Sequence, residues 1–160
     1  MYALDKLPEP SSEFHPIAER AEKELGTSLH YRQVDVRDVP SLNKIVEDIA
    51  NTHGRMDGLI AAAGINHEAP ALEYAAEDAN RMFEINITGV FMTAQAVAKQ
   101  MVKFGNGGSI VLIASMSGTV ANRVLGLPWF GTNALTDNPL TGPARDRVQC
   151  FQGRSNPVGS

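Results

Sequence analysis

The chain has 160 residues, of which 43% are hydrophobic, and its formal net charge at pH 7 is −4. This composition fits one soluble globular domain that is large enough to bury a core. The slight acidity argues against nucleic-acid binding, which usually requires a basic face. The first residues contain no apolar signal segment, and the uncharged stretch 85–98 is too short to span a bilayer. We therefore expect a cytoplasmic protein.

Cysteine and histidine offer little reactive or metal-binding chemistry. Cys150 is the single cysteine, which excludes a disulfide framework and a thiolate metal cluster, and we expect an unreactive thiol in a loop. His15, His30, His53 and His67 are scattered without metal-ligand spacing. The sequence therefore predicts no metal site.

Hydrophobic periodicity predicts strands that alternate with helices over the larger part of the chain. Gly26 is expected to end the first helix, and Asp38 is an expected N-cap of the second, which continues to Gly54. This alternation indicates a parallel sheet covered on both faces. The predicted strands are 2–5, 29–36, 57–62 and 109–114, and the predicted helices are 14–25, the segment after Asp38, and 77–104.

The composition changes abruptly near residue 124. All ten Glu and all five Lys lie before Val124, and the last 36 residues contain neither. Prolines and glycines interrupt every candidate helix or strand in this last segment. We therefore predict a folded region over 1–124 and an irregular tail over 125–160. The tail is either a natural loop-rich extension or out-of-frame or intron-derived sequence joined to the first region, and we favour the second.

Three motifs lie in one strand-helix-strand unit. Ala61, Ala62, Ala63 and Gly64 follow a strand, Asn86 lies in the long helix, and Ser115 follows the next strand. Residues at the carboxyl ends of such strands line the ligand crevice of doubly wound folds. In combination the motifs resemble the short-chain dehydrogenase/reductase family. The resemblance implies the α/β class, with a partial Rossmann-like, doubly wound parallel sheet made of the second to fifth strands of the family fold.

The resemblance also implies a nicotinamide cofactor, NAD or NADP. Asp5 would accept hydrogen bonds from the adenosine ribose and repel a 2′-phosphate, which favours NAD, although Lys6 beside it weakens that preference. Asp35 would meet the exocyclic amine of adenine while Val36 lines the ring. The segment Ala61 to Gly64 corresponds to the family's Asn-Asn-Ala-Gly loop at the cofactor ribose, with Ala at both Asn positions.

Two further residues match catalytic positions of the family. Asn86 corresponds to the Asn that kinks a helix and whose backbone carbonyl holds a water for proton relay. An Asn inside a helix is normally unfavourable because its side chain competes for backbone hydrogen bonds, which favours a special role here. Ser115 would donate a hydrogen bond to the substrate oxygen and polarise a carbonyl during hydride transfer.

Two parts of the family's active site are not found in this sequence. The family's proton donor is the Tyr of a Tyr-x-x-x-Lys motif about a dozen residues after the Ser, and no Tyr or Lys follows Ser115. Pro128, Trp129 and Phe130 stand at that distance, and none of them titrates. The family's Gly-rich pyrophosphate loop follows its first strand, whereas this sequence begins at the second.

We therefore expect a fragment of an NAD(P)-dependent short-chain oxidoreductase, truncated at both ends, inactive as given and weak in cofactor binding. The family reaction is hydride transfer between nicotinamide and a secondary alcohol or ketone, here a polyol or sugar. The alternative is a non-catalytic relative that pairs with full-length subunits. The resemblance implies a small-molecule alcohol or ketone substrate and a homo-oligomer through the helix 86–104. Neither nucleic acid nor a membrane is an expected partner.

Overall fold

The computed structural model describes residues 1–115 and 146–152. Strands and helices alternate along the first range, and a last strand lies in the second. None of the described helices is long and apolar enough to cross a membrane. In chain order the elements are β1 (Tyr2–Asp5), α1 (Phe14–Leu25), β2 (His30–Gln33), α2 (Val39–His53), β3 (Gly58–Ala61), a 3₁₀ turn (Ala71–Glu73), α3 (Ala76–Phe83), a π-helix (Glu84–Gly89), α4 (Val90–Phe104), β4 (Gly108–Ala114) and β5 (Asp146–Gln152).

All described strand pairs are parallel and belong to two ladders. β1 pairs with β2, and Asp5 lies opposite Gln33 at their carboxyl ends. In the second ladder β4 lies between β3 and β5, and Ala61 at the end of β3 lies opposite Leu112 of β4. Parallel strands connected through helices confirm the predicted α/β class and the partial Rossmann-like sheet.

The hydrophobic core connects the two ladders through α2 and α4, which pack against each other. Leu42 and Val46 of α2 are almost fully buried and share a cluster with Val97 of α4. Leu4 of β1 and Leu59 of β3 pack against the same cluster. The two ladders and these two helices therefore share one hydrophobic cluster.

The ends of α1 and α2 follow the predicted capping signals. Gly26 and Gly54 adopt left-handed φ values of 60° and 65°, which glycine accepts without a Cβ penalty. The Asp38 side chain accepts a hydrogen bond of 3.2 Å from the backbone N–H of Ser41. This bond satisfies one of the amide donors that every helix start leaves open.

The predicted helix 77–104 is continuous but not regular. α3 gives way to the π-helix Glu84–Gly89, after which α4 continues. A π turn accommodates an extra residue because its hydrogen bonds run to the fifth residue rather than the fourth, and such turns are frequent at functional sites. Asn86 lies inside this segment. The resemblance implied a kinked helix at Asn86, and the structure shows the irregularity there as a π-helix, a form that hydrophobic periodicity did not predict.

Two predicted strands are shorter in the structure. The strand predicted over 29–36 is reduced to β2, because β1 offers only four residues for pairing. Val34 still donates a hydrogen bond of 2.8 Å to the carbonyl of Asp5, and the chain then turns at Asp35. β3 is likewise two residues shorter than the predicted strand 57–62.

β5 lies within the segment 125–160 that was predicted to be irregular. It runs parallel to β4, from Asp146 opposite Gly108 to Gln152 opposite Ala114. Val148 and Cys150 alternate with polar residues in the sequence, a pattern typical of strands, and β4 offers a second edge for pairing. Cys150 thus lies in a strand rather than the expected loop. The remainder of the segment is outside the described residues.

Candidate cofactor and active site

The candidate site residues follow the carboxyl ends of four parallel strands. Asp5 ends β1, and Asp35 lies two residues after β2. The segment from Ala61 onward continues β3, and Ser115 directly follows β4. Because parallel strands of one sheet end at the same edge, each ladder presents its candidate residues on one side.

Asp5 lies in a braced turn. Its carboxylate accepts a hydrogen bond of 3.0 Å from the backbone N–H of Leu7. The Tyr31 hydroxyl donates to the carbonyl of Leu7 at 2.7 Å, and the Gln33 side-chain amide donates to the carbonyl of Lys6 at 3.0 Å. Side chains of β2 therefore hold the loop after β1, and the exposed Asp5 carboxylate is fixed at the strand end.

Asp35 forms the strongest ion pair of the candidate site. Its Oδ2 accepts a hydrogen bond of 2.6 Å from Arg37 Nη2, and its Oδ1 accepts one of 2.9 Å from the Arg37 backbone N–H. Arg37 Nε lies 3.1 Å from both carboxylate oxygens. These side-chain hydrogen bonds, then the backbone bond, lower the pKa of Asp35 from 3.8 to about 2. The carboxylate is consequently ionised throughout the physiological pH range.

An open pocket of about 510 Å³ adjoins this ion pair. Val36 contributes apolar surface to it, while Asp38 and Glu84 add two further carboxylates. The pocket therefore combines apolar surface with hydrogen-bond acceptors and one guanidinium group. Its lining residues are Asp35, Val36, Arg37, Asp38, Val39, Glu84 and Thr88.

Gly89 connects this pocket to the π-helix. A Cβ atom built on Gly89 would lie 2.5 Å from Val36 Cγ2 and 3.2 Å from the carbonyl oxygen of Glu84. Only a glycine allows the helix to approach the loop after β2 this closely. The carbonyl of Gly89 also accepts a hydrogen bond of 2.7 Å from the buried Thr93 hydroxyl. Val36 and Asn86 thus belong to one packed unit.

Asn86 binds the loop that continues from β3. Its Oδ1 accepts a hydrogen bond of 2.9 Å from the N–H of Ile65, and its Nδ2 donates one of 2.9 Å to the carbonyl of Ile65. A Cβ atom on Gly64 would lie 3.5 Å from Asn86 Oδ1, in ordinary contact. Ala61 is buried, whereas Ala62 and Ala63 are exposed. The loop therefore receives from Asn86 the bracing that its own alanines lack.

Ser115 lies one residue beyond β4 and is exposed. Ala61 pairs with Leu112, so Ser115 stands three positions past the end of the β3 pairing, on the edge where the Ala61–Gly64 loop begins. Pro128, Trp129 and Phe130 lie outside the described residues. Of the residues predicted for catalysis, the described part of the chain includes Asn86 and Ser115.

Sequence reasoning missed two contributors to this site, Arg37 and Gly89. Arg37 follows Asp35 by two residues, a spacing at which a turn can pair opposite charges, and the same spacing recurs at Arg55 and Asp57. No role was predicted for Gly89, which lies inside the predicted helix 77–104. Glycine is less favourable than alanine inside a helix. A glycine in a long apolar helix therefore indicates a place where a side chain would collide with a neighbouring segment.

The residues 1–115 and 146–152 contain no candidate metal site. No group of three or more His, Cys, Asp or Glu side chains there could hold a metal ion. His67 lies after the loop, with its Nε2 3.7 Å from Asp78 Oδ2 and its ring edge-on to Tyr74. These contacts account for His67 as a loop-to-helix brace.

Known proteins are similar to this chain in sequence and in fold. Residues 9–127 match the short chain dehydrogenase family. D-threitol dehydrogenase of Mycolicibacterium smegmatis is 40% identical over 87 residues, which cover 54% of this chain and 33% of that protein. Sorbitol dehydrogenase of Cereibacter sphaeroides is 32% identical over 104 residues, covering 65% of this chain and 41% of that protein.

A solved structure supports the same assignment. Carveol dehydrogenase from Mycobacterium avium, crystallised in complex with NAD, aligns with a TM-score of 0.70 at 30% identity and covers 84% of this chain and 52% of that chain. This chain thus spans about half of that structure and less than half of the two dehydrogenases above. Because the family match extends over most of its residues, the chain belongs to the short chain dehydrogenase family.

Proposed function

We propose that this chain is the part of an NAD(P)-dependent oxidoreductase that holds the adenosine half of the cofactor and the substrate-polarising Ser. The single observation that carries the proposal is the pair of 2.9 Å hydrogen bonds between Asn86, in the π-helix, and Ile65, next to the Ala61–Gly64 loop. These bonds hold the loop at the edge where Ser115 follows β4.

The donor and acceptor chemistry of the strand ends fits a dinucleotide. The Asp5 carboxylate is suited to accept hydrogen bonds from ribose hydroxyls, and the Asp35 carboxylate to accept one from an aromatic amine. Val36 offers an apolar contact to a ring, and small residues from Ala61 to Gly64 allow close approach to a ribose. The negative charge of Asp5 favours NAD over NADP.

The proposed reaction class is hydride transfer between the nicotinamide and a secondary alcohol or ketone. The cofactor, when bound, supplies or accepts the hydride. Ser115 would donate a hydrogen bond to the substrate oxygen, where negative charge develops. Asn86 would hold the loop after β3 and, through its backbone carbonyl, a water in the proton path. The two polyol dehydrogenases among the relatives support a polyol or sugar substrate.

We further propose that the chain as given does not catalyse this reaction. Its tyrosines are Tyr2, Tyr31 and Tyr74, all before Ser115, and its last lysine is Lys103. Loss of a general acid typically lowers a rate by about 10²- to 10⁴-fold. The test is an NAD- and NADP-linked assay with D-threitol and sorbitol, beside calorimetric titration of both cofactors. Turnover within tenfold of a full-length relative would contradict the inactivity, and absence of any nicotinamide cofactor binding would contradict the proposed site.

A second candidate function is supported by the surface of α4. Phe91 is 45% exposed and Val102 is 79% exposed, and their spacing of eleven residues places them on one side of the helix. We call these two side chains the exposed apolar stripe of α4, a surface suited to a protein-protein contact. The alternative is therefore a non-catalytic relative that pairs, through the helix 86–104, with copies of itself or with full-length subunits.

A further inference from the structure

The Arg37 guanidinium occupies the acceptor atoms that a ligand amine in the pocket requires. It lies side-on to Asp35, with Nη2 2.6 Å from Oδ2 and Nε 3.1 Å from each oxygen. The backbone N–H of the same residue takes a further position on Oδ1 at 2.9 Å. Since a carboxylate has about four acceptor positions, little capacity remains for a ligand amine unless Arg37 moves.

A second carboxylate faces the pocket that Arg37 lines. Glu84, at the start of the π-helix, lines the pocket together with Arg37. It contributes to raising the pKa of Arg37, after the hydrogen bonds and charge of Asp35. Arg37 and Glu84 are both exposed. The pocket thus contains one guanidinium group, the Asp35 carboxylate that it binds, and the Glu84 carboxylate as a further negative charge.

We propose that Arg37 determines the affinity of the pocket for an amine-bearing base, because its guanidinium occupies Asp35 in the empty pocket and must shift toward Glu84 when the base binds. The inference rests on the proposed function, in which Asp35 receives the amine of adenine. It adds a residue that opposes binding, and it gives Glu84 a role as the alternative partner. An arginine is suited to this role because its planar group donates several hydrogen bonds in one plane.

The experiment uses adenosine and inosine as probes in NMR titrations of the full chain. Adenosine carries the exocyclic amine, whereas inosine presents a carbonyl oxygen at the same position, and both are uncharged. The variants are Arg37→Ala, Arg37→Lys, Glu84→Gln and the double variant Arg37→Ala/Glu84→Gln. The matched control is Arg55→Ala, because Arg55 and Asp57 form the same side-on pair at the same sequence spacing but are not among the pocket residues.

Removal of Arg37 is expected to tighten adenosine binding about two- to fivefold, the range that follows from the small net value of an exposed ion pair. Arg37→Lys should give a smaller gain, since an ammonium cannot bind both oxygens side-on. Glu84→Gln should weaken adenosine binding only while Arg37 is present, so the double variant should behave like Arg37→Ala. Inosine binding, and adenosine binding by Arg55→Ala, should not change.

Three results would overturn the inference: adenosine binding that is unchanged or weaker in both Arg37 variants, an equal gain for inosine, or no adenosine binding by any variant. Calorimetric titration of NAD with the same samples separates the inference from the proposed function. If NAD binds and the Arg37 variants leave adenosine affinity unchanged, the inference fails while the proposed function stands. If adenosine tightens as expected and NAD does not bind, the role of Arg37 stands and the proposed function fails.

Discussion

The side-chain amide of Asn86 and the backbone of Ile65 exchange two hydrogen bonds of 2.9 Å across 21 residues of sequence. An amide is suited to this contact because it offers one acceptor and one donor in a plane, matching the N–H and C=O of one residue. The pairing ties a π-helix to a loop at a strand end. The loop after β3 and the π-helix are therefore held in a fixed position relative to each other.

Replacing Asn86 by Asp should loosen this loop. The carboxylate can still accept from the Ile65 N–H but cannot donate to its carbonyl, which would then face a negative charge. We expect a loss of about 1–3 kcal/mol in the free energy of unfolding, the usual consequence of unpairing a part-buried polar group. Urea unfolding measures the loss, and amide hydrogen exchange at Ile65 should accelerate.

The control for this change is Asn80→Asp, at an exposed position in α3. It adds the same charge to the same continuous helix without touching the loop. Equal destabilisation by the two substitutions, or an unchanged exchange rate at Ile65 in the Asn86 variant, would show that the pair of hydrogen bonds does not hold the loop.

Gly89→Ala should destabilise the contact between the π-helix and the pocket. The added methyl would lie 2.5 Å from Val36 Cγ2, so the helix or the loop must shift. Overpacking of this kind typically costs about 1–3 kcal/mol, although Ala is otherwise the better helix former. Unfolding in urea measures the cost. Val36→Ala combined with Gly89→Ala should recover part of it, because alanine removes Cγ2, the closest of these contacts, but keeps the Cβ at 3.0 Å.

Gly58→Ala serves as the comparison, because a Cβ atom there meets only the carbonyl oxygen of Ser109 at 3.5 Å. We expect its effect to be close to zero. If Gly89→Ala were as well tolerated as Gly58→Ala, the close approach of Val36 would not matter for stability.

The sequence predicted most elements because their signals are local. Gly26, Asp38 and Gly54 fix helix ends through capping, which involves only the neighbouring few residues. β5 could not be predicted in this way, since it depends on the free edge of β4, more than thirty positions away in the sequence. The predicted strand lengths were wrong for the same reason, because β2 ends where its pairing partner β1 ends.

The candidate site was only partly predictable. The identities of Asn86 and Ser115 follow from motif spacing, but the partners of the Asn86 side chain do not. The π-helix covers six residues, too few for its period to be distinguished from that of an α-helix. The Arg37–Asp35 contact depends on loop dihedral angles that no periodic pattern encodes.

Stability should depend on pH through Asp35. Its pKa is lowered from 3.8 to about 2 in the folded protein, first by the Arg37 side-chain hydrogen bonds. A lowered pKa means that the contribution is present above about pH 4 and is lost as the pH falls toward 2. The carboxylate side chain is 31% exposed and its partner 45% exposed, so solvent screening limits the contribution to about 1 kcal/mol or less.

The measurement is the difference in unfolding free energy between the parent chain and Arg37→Ala at several pH values. This difference should be constant from pH 7 to about pH 5, shrink as the pH falls below about 4, and disappear only below about pH 2. Asp38 also has a lowered pKa, first through the Ser41 side chain, but its contribution is common to both proteins and cancels. If the difference in unfolding free energy persists unchanged at pH 2.5, it arises from packing of the aliphatic part of the Arg37 side chain and not from the ion pair with Asp35.

Substitution of the exposed apolar stripe on α4 should abolish self-association. Phe91 and Val102 are exposed on one side of the helix. In a monomer both side chains remain in contact with water. If the stripe pairs with a second copy, Phe91→Lys/Val102→Lys should shift the protein to monomer. The free energy needed to bury the two ammonium groups exceeds the stabilisation that the apolar contact provides. Sedimentation equilibrium over a range of concentrations measures the shift.

Leu72→Lys is the matched control, since this leucine is fully exposed and belongs to the 3₁₀ turn rather than to α4. A parent chain that stays monomeric at high concentration would exclude pairing between copies, and association that survives the double substitution would place the contact elsewhere.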